Sequence, residues 1–282
     1  MTFILPSFGA SAISAVPGGG VAGWSGNTYS LSLDGTDDYL DTNSNFQSTF
    51  NSGFSFSLWG KLSAIGANQG LLGGENSTYY DRFVCFVNTA GQINFYYTSD
   101  NQGVPTIKDI SGTSLTDWFH IVGTVVQNGS NVDLTLYVNG SQKATGSATS
   151  TMANFGATTT PVDLFFGGRN YNGSLQLPLN GFIDEAAIFN TALSALQITN
   201  IYRGEDDGGS GGTNGVPGDL STFNPVGWWR MGDNNSGSGT TITNAANPGT
   251  NDATIPNATG GTNTSGAAFH NLSTAPDSIY VA

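Results

Sequence analysis

The chain has 282 residues, of which 38% are hydrophobic and only 10% charged, far below the roughly 25% charged of an ordinary globular protein. Seven basic residues against twenty acidic ones give a net charge of −13, and no Lys or Arg precedes Lys61; that balance repels phosphates and excludes a DNA- or RNA-binding role. A single cysteine excludes an internal disulfide framework and a Cys-rich zinc site, and no apolar run approaches the roughly 20 residues of a membrane span.

In chain order, residues 1–26 read as an extended arm. Phe3-Ile4-Leu5 is broken by Pro6 and has no positive charge before it, unlike a signal peptide. Alternation at Tyr29-Ser30-Leu31-Ser32-Leu33 predicts a strand, and Phe54-Ser55-Phe56-Ser57-Leu58-Trp59 repeats it. Further strands are expected at Arg82–Val87, Gln92–Tyr97, Trp118–Val126, Val132–Val138, Val162–Phe166 and Phe182–Phe189. The lone Cys85 lies in the apolar run Arg82–Val87 and reads as a small buried hydrophobe. The pair Asn139-Gly140 favours a tight hairpin turn. Short strands divided by Gly, Asn and Ser clusters make the chain an all-β sandwich or jelly roll.

One helix interrupts the pattern. Ser194 and Gln197 have the spacing of a capping box, Leu193 and Ile198 that of a hydrophobic staple, and Gly204 closes the end. These readings divide the chain into an arm at 1–26, a jelly roll at 27–204, a Gly-rich linker at 205–218 and a C-terminal β segment at 219–282. That last segment has too few apolar side chains for a core of its own, so it is expected to pack on the jelly roll or on a neighbouring subunit.

Five segments in order resemble a laminin-G-like, concanavalin-type jelly roll: Leu31-Ser32-Leu33-Asp34-Gly35-Thr36-Asp37-Asp38-Tyr39-Leu40, Phe54–Trp59, Trp118-Phe119-His120-Ile121-Val122-Gly123-Thr124, Leu136-Tyr137-Val138-Asn139-Gly140 and Gly181–Asn190. The resemblance implies two packed antiparallel sheets, often with a ligand or Ca²⁺ site at the rim. Trp228-Trp229-Arg230-Met231-Gly232-Asp233 resembles a segment that usually precedes such jelly rolls and here follows one. That order, together with the style of the N-terminus, resembles structural proteins of tailed bacteriophages.

Catalytic chemistry finds little support. Asp184 and Glu185 are adjacent on an expected strand and should face opposite ways, which does not make the carboxylate pair of a glycosidase. His120 alternates with Phe119 and Ile121 and reads as a histidine held by sheet packing, without nucleophile-elbow spacing. Asp37 and Asp38, in the turn Asp34–Asp38, concentrate hard oxygen ligands and are the first candidates for Ca²⁺; Glu205-Asp206-Asp207 repeats the feature. No other cofactor is implied. Tyr171 with Asn170, and Tyr79 with Tyr80, are candidates for a glycan platform, because an aromatic ring among amides stacks on a sugar while its neighbours bond the hydroxyls.

The expectation is therefore a non-enzymatic virion structural protein, a capsid decoration or fibre-like appendage. Its partners would be other virion proteins and copies of itself, engaged through the arm residues Phe3, Ile4, Leu5 and Phe8. The alternative is a carbohydrate-binding adhesin contacting host-surface glycans.

Overall fold

A computed structural model describes residues 26–76, 81–99, 106–109, 112–158, 160–212, 214–234, 236–256 and 268–271. The elements in chain order are β1 (Tyr29–Asp34), β2 (Leu40–Asp41), α1 (Gln47–Phe50), β3 (Phe54–Leu62), β4 (Gln69–Glu75), β5 (Arg82–Val87), β6 (Ile93–Thr98) and β7 (Thr106–Lys108). They continue with β8 (Phe119–Asn128), β9 (Asn131–Val138), β10 (Ser141–Thr149), β11 (Phe165–Phe166), β12 (Arg169–Tyr171), β13 (Ser174–Gln176), β14 (Asn180–Phe189) and α2 (Ala195–Tyr202). Four short strands end the described chain: β15 (Gly227–Trp229), β16 (Thr241–Ile242), β17 (Ala253–Thr254) and β18 (Ala268–Asn271).

Two sheets face each other. The first runs β10-β9-β8-β3-β14-β1-β18, with β15 also on β14; the second runs β16-β17-β2-β11-β4-β5-β6-β7, with β12 on β4 and β13 on β12. The pairings are antiparallel apart from β12 with β4. This is the expected jelly roll, and the core follows from period-two alternation. Phe54, Phe56 and Leu58 of β3 and Phe119, Ile121 and Val125 of β8 meet Phe83, Cys85 and Val87 of β5 and Phe95 and Tyr97 of β6. Gly123 sits where β8 faces this cluster, and a Cβ there would lie 2.1 Å from the Phe56 ring.

The outer face of the first sheet is covered. Val122, Tyr137, Ala187 and Phe189 pack under Leu193, Ile198 and Ile201 of the α2 region and under Leu220, Phe223 and Trp228. The capping box of Ser194 and Gln197 forms as expected. Residues 204–218 fold back closely: Gly215 N donates to Tyr202 O, and a Cβ on Gly218 would lie 2.4 Å from Gly204 O. The segment after Val226 supplies strands to both sheets. β15 continues on β14 beyond β1, and β17 pairs with β2. The described strands of the tail thus pair within this chain's own two sheets.

Some expectations need adjustment. Only Phe165–Phe166 of the expected 162–166 run is a strand. β4 was masked in the sequence by Gly70, Gly73 and Gly74, and β10 by its lack of an apolar face. The strand carrying Asp184 and Glu185 is not regular: its register shifts between Asp184 and Ala187, and Glu185 has φ 43°. Both carboxylates therefore join one buried network instead of facing apart.

Candidate functional site

With one sheet face under α2, the outward row of the second sheet keeps partial access to solvent, although Val84, Asn94 and Thr98 on it are buried. Arg82, Phe86, Tyr96 and Tyr171 are half-buried there and Lys108 is exposed. Its centre is Glu75, the last residue of β4. In the β-ladder Glu75 stands opposite Arg82 on one side and Tyr171 on the other, so three side chains of different chemistry form one cross-strand row.

Arg169, two residues before Tyr171 on the same strand, reaches the same acid. Arg82 Nη2 donates to Glu75 Oε1 at 2.6 Å and Arg169 Nη1 donates to Glu75 Oε2 at 2.8 Å. Arg169 Nη2 also donates to Gln176 Oε1. The Arg169 guanidinium lies 5.1 Å from the centre of the Tyr171 ring, which holds the phenol against the arginine fork. The Glu75 side chain is 4% exposed, whereas those of Arg82 and Arg169 are 25% and 21% exposed. A buried carboxylate thus orients two guanidiniums that still touch water. Their Nε groups are shut off from solvent and have no hydrogen-bond partner among the described residues, and two cations against Glu75 leave a local surplus of positive charge in a chain of net charge −13.

The local chain explains the placement. Gly70 has no side chain because a Cβ would meet the backbone of Gly168 at 2.7 Å, and that close approach lets β12 lie on β4. The β12–β13 hairpin turns at Asn172 (φ 52°) and Gly173 (φ 86°), the two left-handed positions of a type I′ turn.

Of the residues singled out in the sequence, Tyr171 lies on this face. Asn170 does not: it is buried, donates through Nδ2 to Asp163 O at 2.9 Å and accepts from Gly173 N at 2.8 Å. Strand alternation turns it inward, where it shapes the hairpin. Tyr79 and Tyr80, and the arm residues Phe3, Ile4, Leu5 and Phe8, lie outside the described residues. Glu75, Arg82 and Arg169 were not found by sequence reasoning, although two of only seven cations placed at strand ends was a usable signal.

The acidic turn is formed. The carboxylates of Asp34, Asp37 and Asp38 offer oxygens within 4.8 Å of one another. Asp34 Oδ1 accepts from Thr36 N at 2.7 Å and Asp38 Oδ2 from Asp34 N at 3.0 Å, so two of the three also hold the turn. The oxygen-only donor set suits the chemistry of Ca²⁺, which takes 6–8 such ligands, and these three residues would supply part of that shell.

His120, Asp184 and Glu185 are enclosed. His120 Nε2 and Ser57 Oγ share a 2.8 Å hydrogen bond, both residues are buried, and the imidazole packs beside Trp59 and Tyr202. Burial pushes the His120 imidazole down to about 3. With no solvent path it is a packed histidine rather than a base. Arg230 Nε donates to Glu185 Oε1 at 3.1 Å, Trp228 Nε1 donates to Glu185 Oε2, and Asn27 Nδ2 donates to Asp184 Oδ2 at 2.8 Å. Burial pushes the Glu185 carboxyl up to about 7, and burial with the neighbouring Glu185 raises that of Asp184. The network fastens Gly26–Thr28 and β15 to β14 and presents no acid to solvent.

Among the described residues no helix is long and apolar enough to cross a membrane. The family profile described as the concanavalin A-like lectin/glucanases superfamily matches residues 34–199. A search of curated proteins finds no match. Among solved structures, the chain is similar to the CBM40 of the Ruminococcus gnavus IT-sialidase bound to α2,3-sialyllactose, with a TM-score of 0.50 and 17% identity over 62% of this chain and 96% of that one. It is also similar to a candidate carbohydrate binding protein of Bacteroides ovatus, with a TM-score of 0.56 and 15% identity over 90% of this chain and 62% of that one. At these identities the structural likeness establishes the fold. With the family profile spanning more than half its length, the chain belongs to the concanavalin A-like lectin/glucanase superfamily.

Proposed function

We propose that the protein is a non-catalytic carbohydrate-binding module whose ligand is an acidic glycan, bound on the outer face of the second sheet. One observation carries this reading: the buried Glu75 fixes both Arg82 and Arg169, whose side chains stay 25% and 21% exposed, and Arg169 stands beside the Tyr171 ring. Two guanidinium forks bond a carboxylate or sulfate in-plane, and a phenol ring supports the apolar face of a pyranose. The similarity to a sialyllactose-bound module agrees with a sugar ligand of this charge but does not carry the argument.

This favours the adhesin reading over a purely structural one. The virion setting rests on the phage-like style of the sequence, and counting copies of this chain in purified particles by mass spectrometry tests it. The glycan reading is tested on an array holding matched acidic and neutral glycans. The wild type should retain acidic glycans selectively, and Arg169→Ala should lose them while circular dichroism shows it still folded. Equal retention by Arg169→Ala would overturn the assignment.

A further inference from the structure

A second, chemically different recess lies at one end of the sandwich. It is an open groove of about 570 Å³ between the 44–51 segment, the chain after β14, and the chain entering β15 and β17. Among the described residues none of its lining side chains is charged. Ser48 and Asn190 are exposed and Asn51 and Asn251 half-buried; all four line the groove, and their side chains form no hydrogen bond among the described residues.

The floor is held by strain. Phe46 has φ 49° and ψ 29°, the left-handed region that a bulky side chain rarely adopts. Its ring is anchored edge-on to Trp229 at 5.9 Å and lies 5.9 Å from Phe50. Asn251, on the opposite wall, has φ 56°. Packing thus holds Phe46 in a conformation that a bulky residue rarely adopts, whereas Asn251 is of a type that tolerates it. The segment is braced further by Gln47 Nε2 donating to Gly156 O at 2.9 Å and by Asn45 Oδ1 accepting from Gln47 N at 3.0 Å.

We propose that this groove binds an uncharged, hydroxyl-rich ligand, a neutral mono- or disaccharide unit, independently of the arginine face. Its size lies within the range of small-molecule sites. Amide side chains each offer donors and an acceptor, which match adjacent sugar hydroxyls, and the absence of charge discriminates against acidic ligands that would need a cation.

The test uses the full chain with cellobiose, maltose, lactose and N,N′-diacetylchitobiose, read by saturation-transfer difference NMR and by shifts of the Asn side-chain amides. At least one probe should bind with a millimolar Kd. The double variant Asn51→Ala/Asn190→Ala should weaken it at least tenfold, while Arg169→Ala should leave it unchanged. No transfer from any probe at about 20 mM, where a millimolar site would be filled, overturns the proposal. So does binding that survives the double substitution, or that is lost with Arg169→Ala.

Discussion

Trp229→Ala measures whether the C-terminal segment is part of this sandwich's core or an ornament on it. Trp229 is fully buried, 5.3 Å from the Phe166 ring and 5.9 Å from that of Phe46, and its Nε1 donates to Asn251 O at 3.1 Å. A buried tryptophan removes about 150–250 Å² from water, which at roughly 25 cal/mol per Å² is about 4–6 kcal/mol. Truncation to alanine retains a little of that and leaves a cavity, so the expected loss is about 3–5 kcal/mol. For a chain of this size the melting temperature should fall by roughly 6–20 °C. Circular dichroism during urea unfolding avoids confusion from the lost fluorophore, and Leu196→Ala, at a residue 68% exposed, serves as a control near zero. A loss below about 1 kcal/mol would refute the claim that β15 joins the core. The same result with intact glycan binding would mean that the tail is dispensable to the fold.

Three other outcomes follow from the packing and charge. Gly123→Ala, with a Cβ driven to 2.1 Å from Phe56, should cost about 1–3 kcal/mol, and a neutral effect in urea unfolding would disprove the tight β8 contact. Because His120 in the folded protein is pushed down to about 3 while the unfolded chain protonates near 6.5, stability should fall as pH drops from 6.5 toward 3, by at most about 1.4 kcal/mol per pH unit. Glu185, pushed up to about 7, acts in the opposite sense and loses stability as pH rises from about 4.5 to 7, so the His120 effect is read as a difference: His120→Gln should flatten the acid limb, and parallel curves for the two proteins would contradict it. Millimolar Ca²⁺ should raise the melting temperature of the wild type by relieving repulsion at Asp34, Asp37 and Asp38. It should not raise that of Asp37→Asn/Asp38→Asn, and equal shifts in both would remove calcium from that turn.

Where strands alternate cleanly, the sequence exposes them. Phe54–Trp59 and Trp118–Val126 read correctly because their inward residues are aromatic or branched and recur every second position. The α2 start was equally legible because a capping box is a local device. β4 was not, since Gly70, Gly73 and Gly74 serve close backbone approach and carry no periodicity. The site failed to show for a related reason. Glu75, Arg82 and Arg169 meet only through the register of β4 with β5 and β12, and register is a tertiary property. Asn170 and Tyr171 looked equivalent in composition, yet alternation sends the first inward and the second to the surface. Likewise, the bulge at Glu185 broke the regular strand on which the opposite-face expectation for Asp184 depended.

The most direct measurement of the central claim is to titrate an acidic oligosaccharide, such as an oligogalacturonate, into ¹⁵N-labelled protein and follow the arginine Nε–H resonances. Binding on the second sheet predicts shifts of the Arg82 and Arg169 Nε–H signals, with affinity weakening as salt is raised and falling about 10–100-fold in Arg169→Ala, as expected for a lost charged hydrogen bond of about 1.5–3 kcal/mol. If a sialylated and a sulfated oligosaccharide behave alike and all three leave those two signals unmoved, the arginine face is not a glycan site.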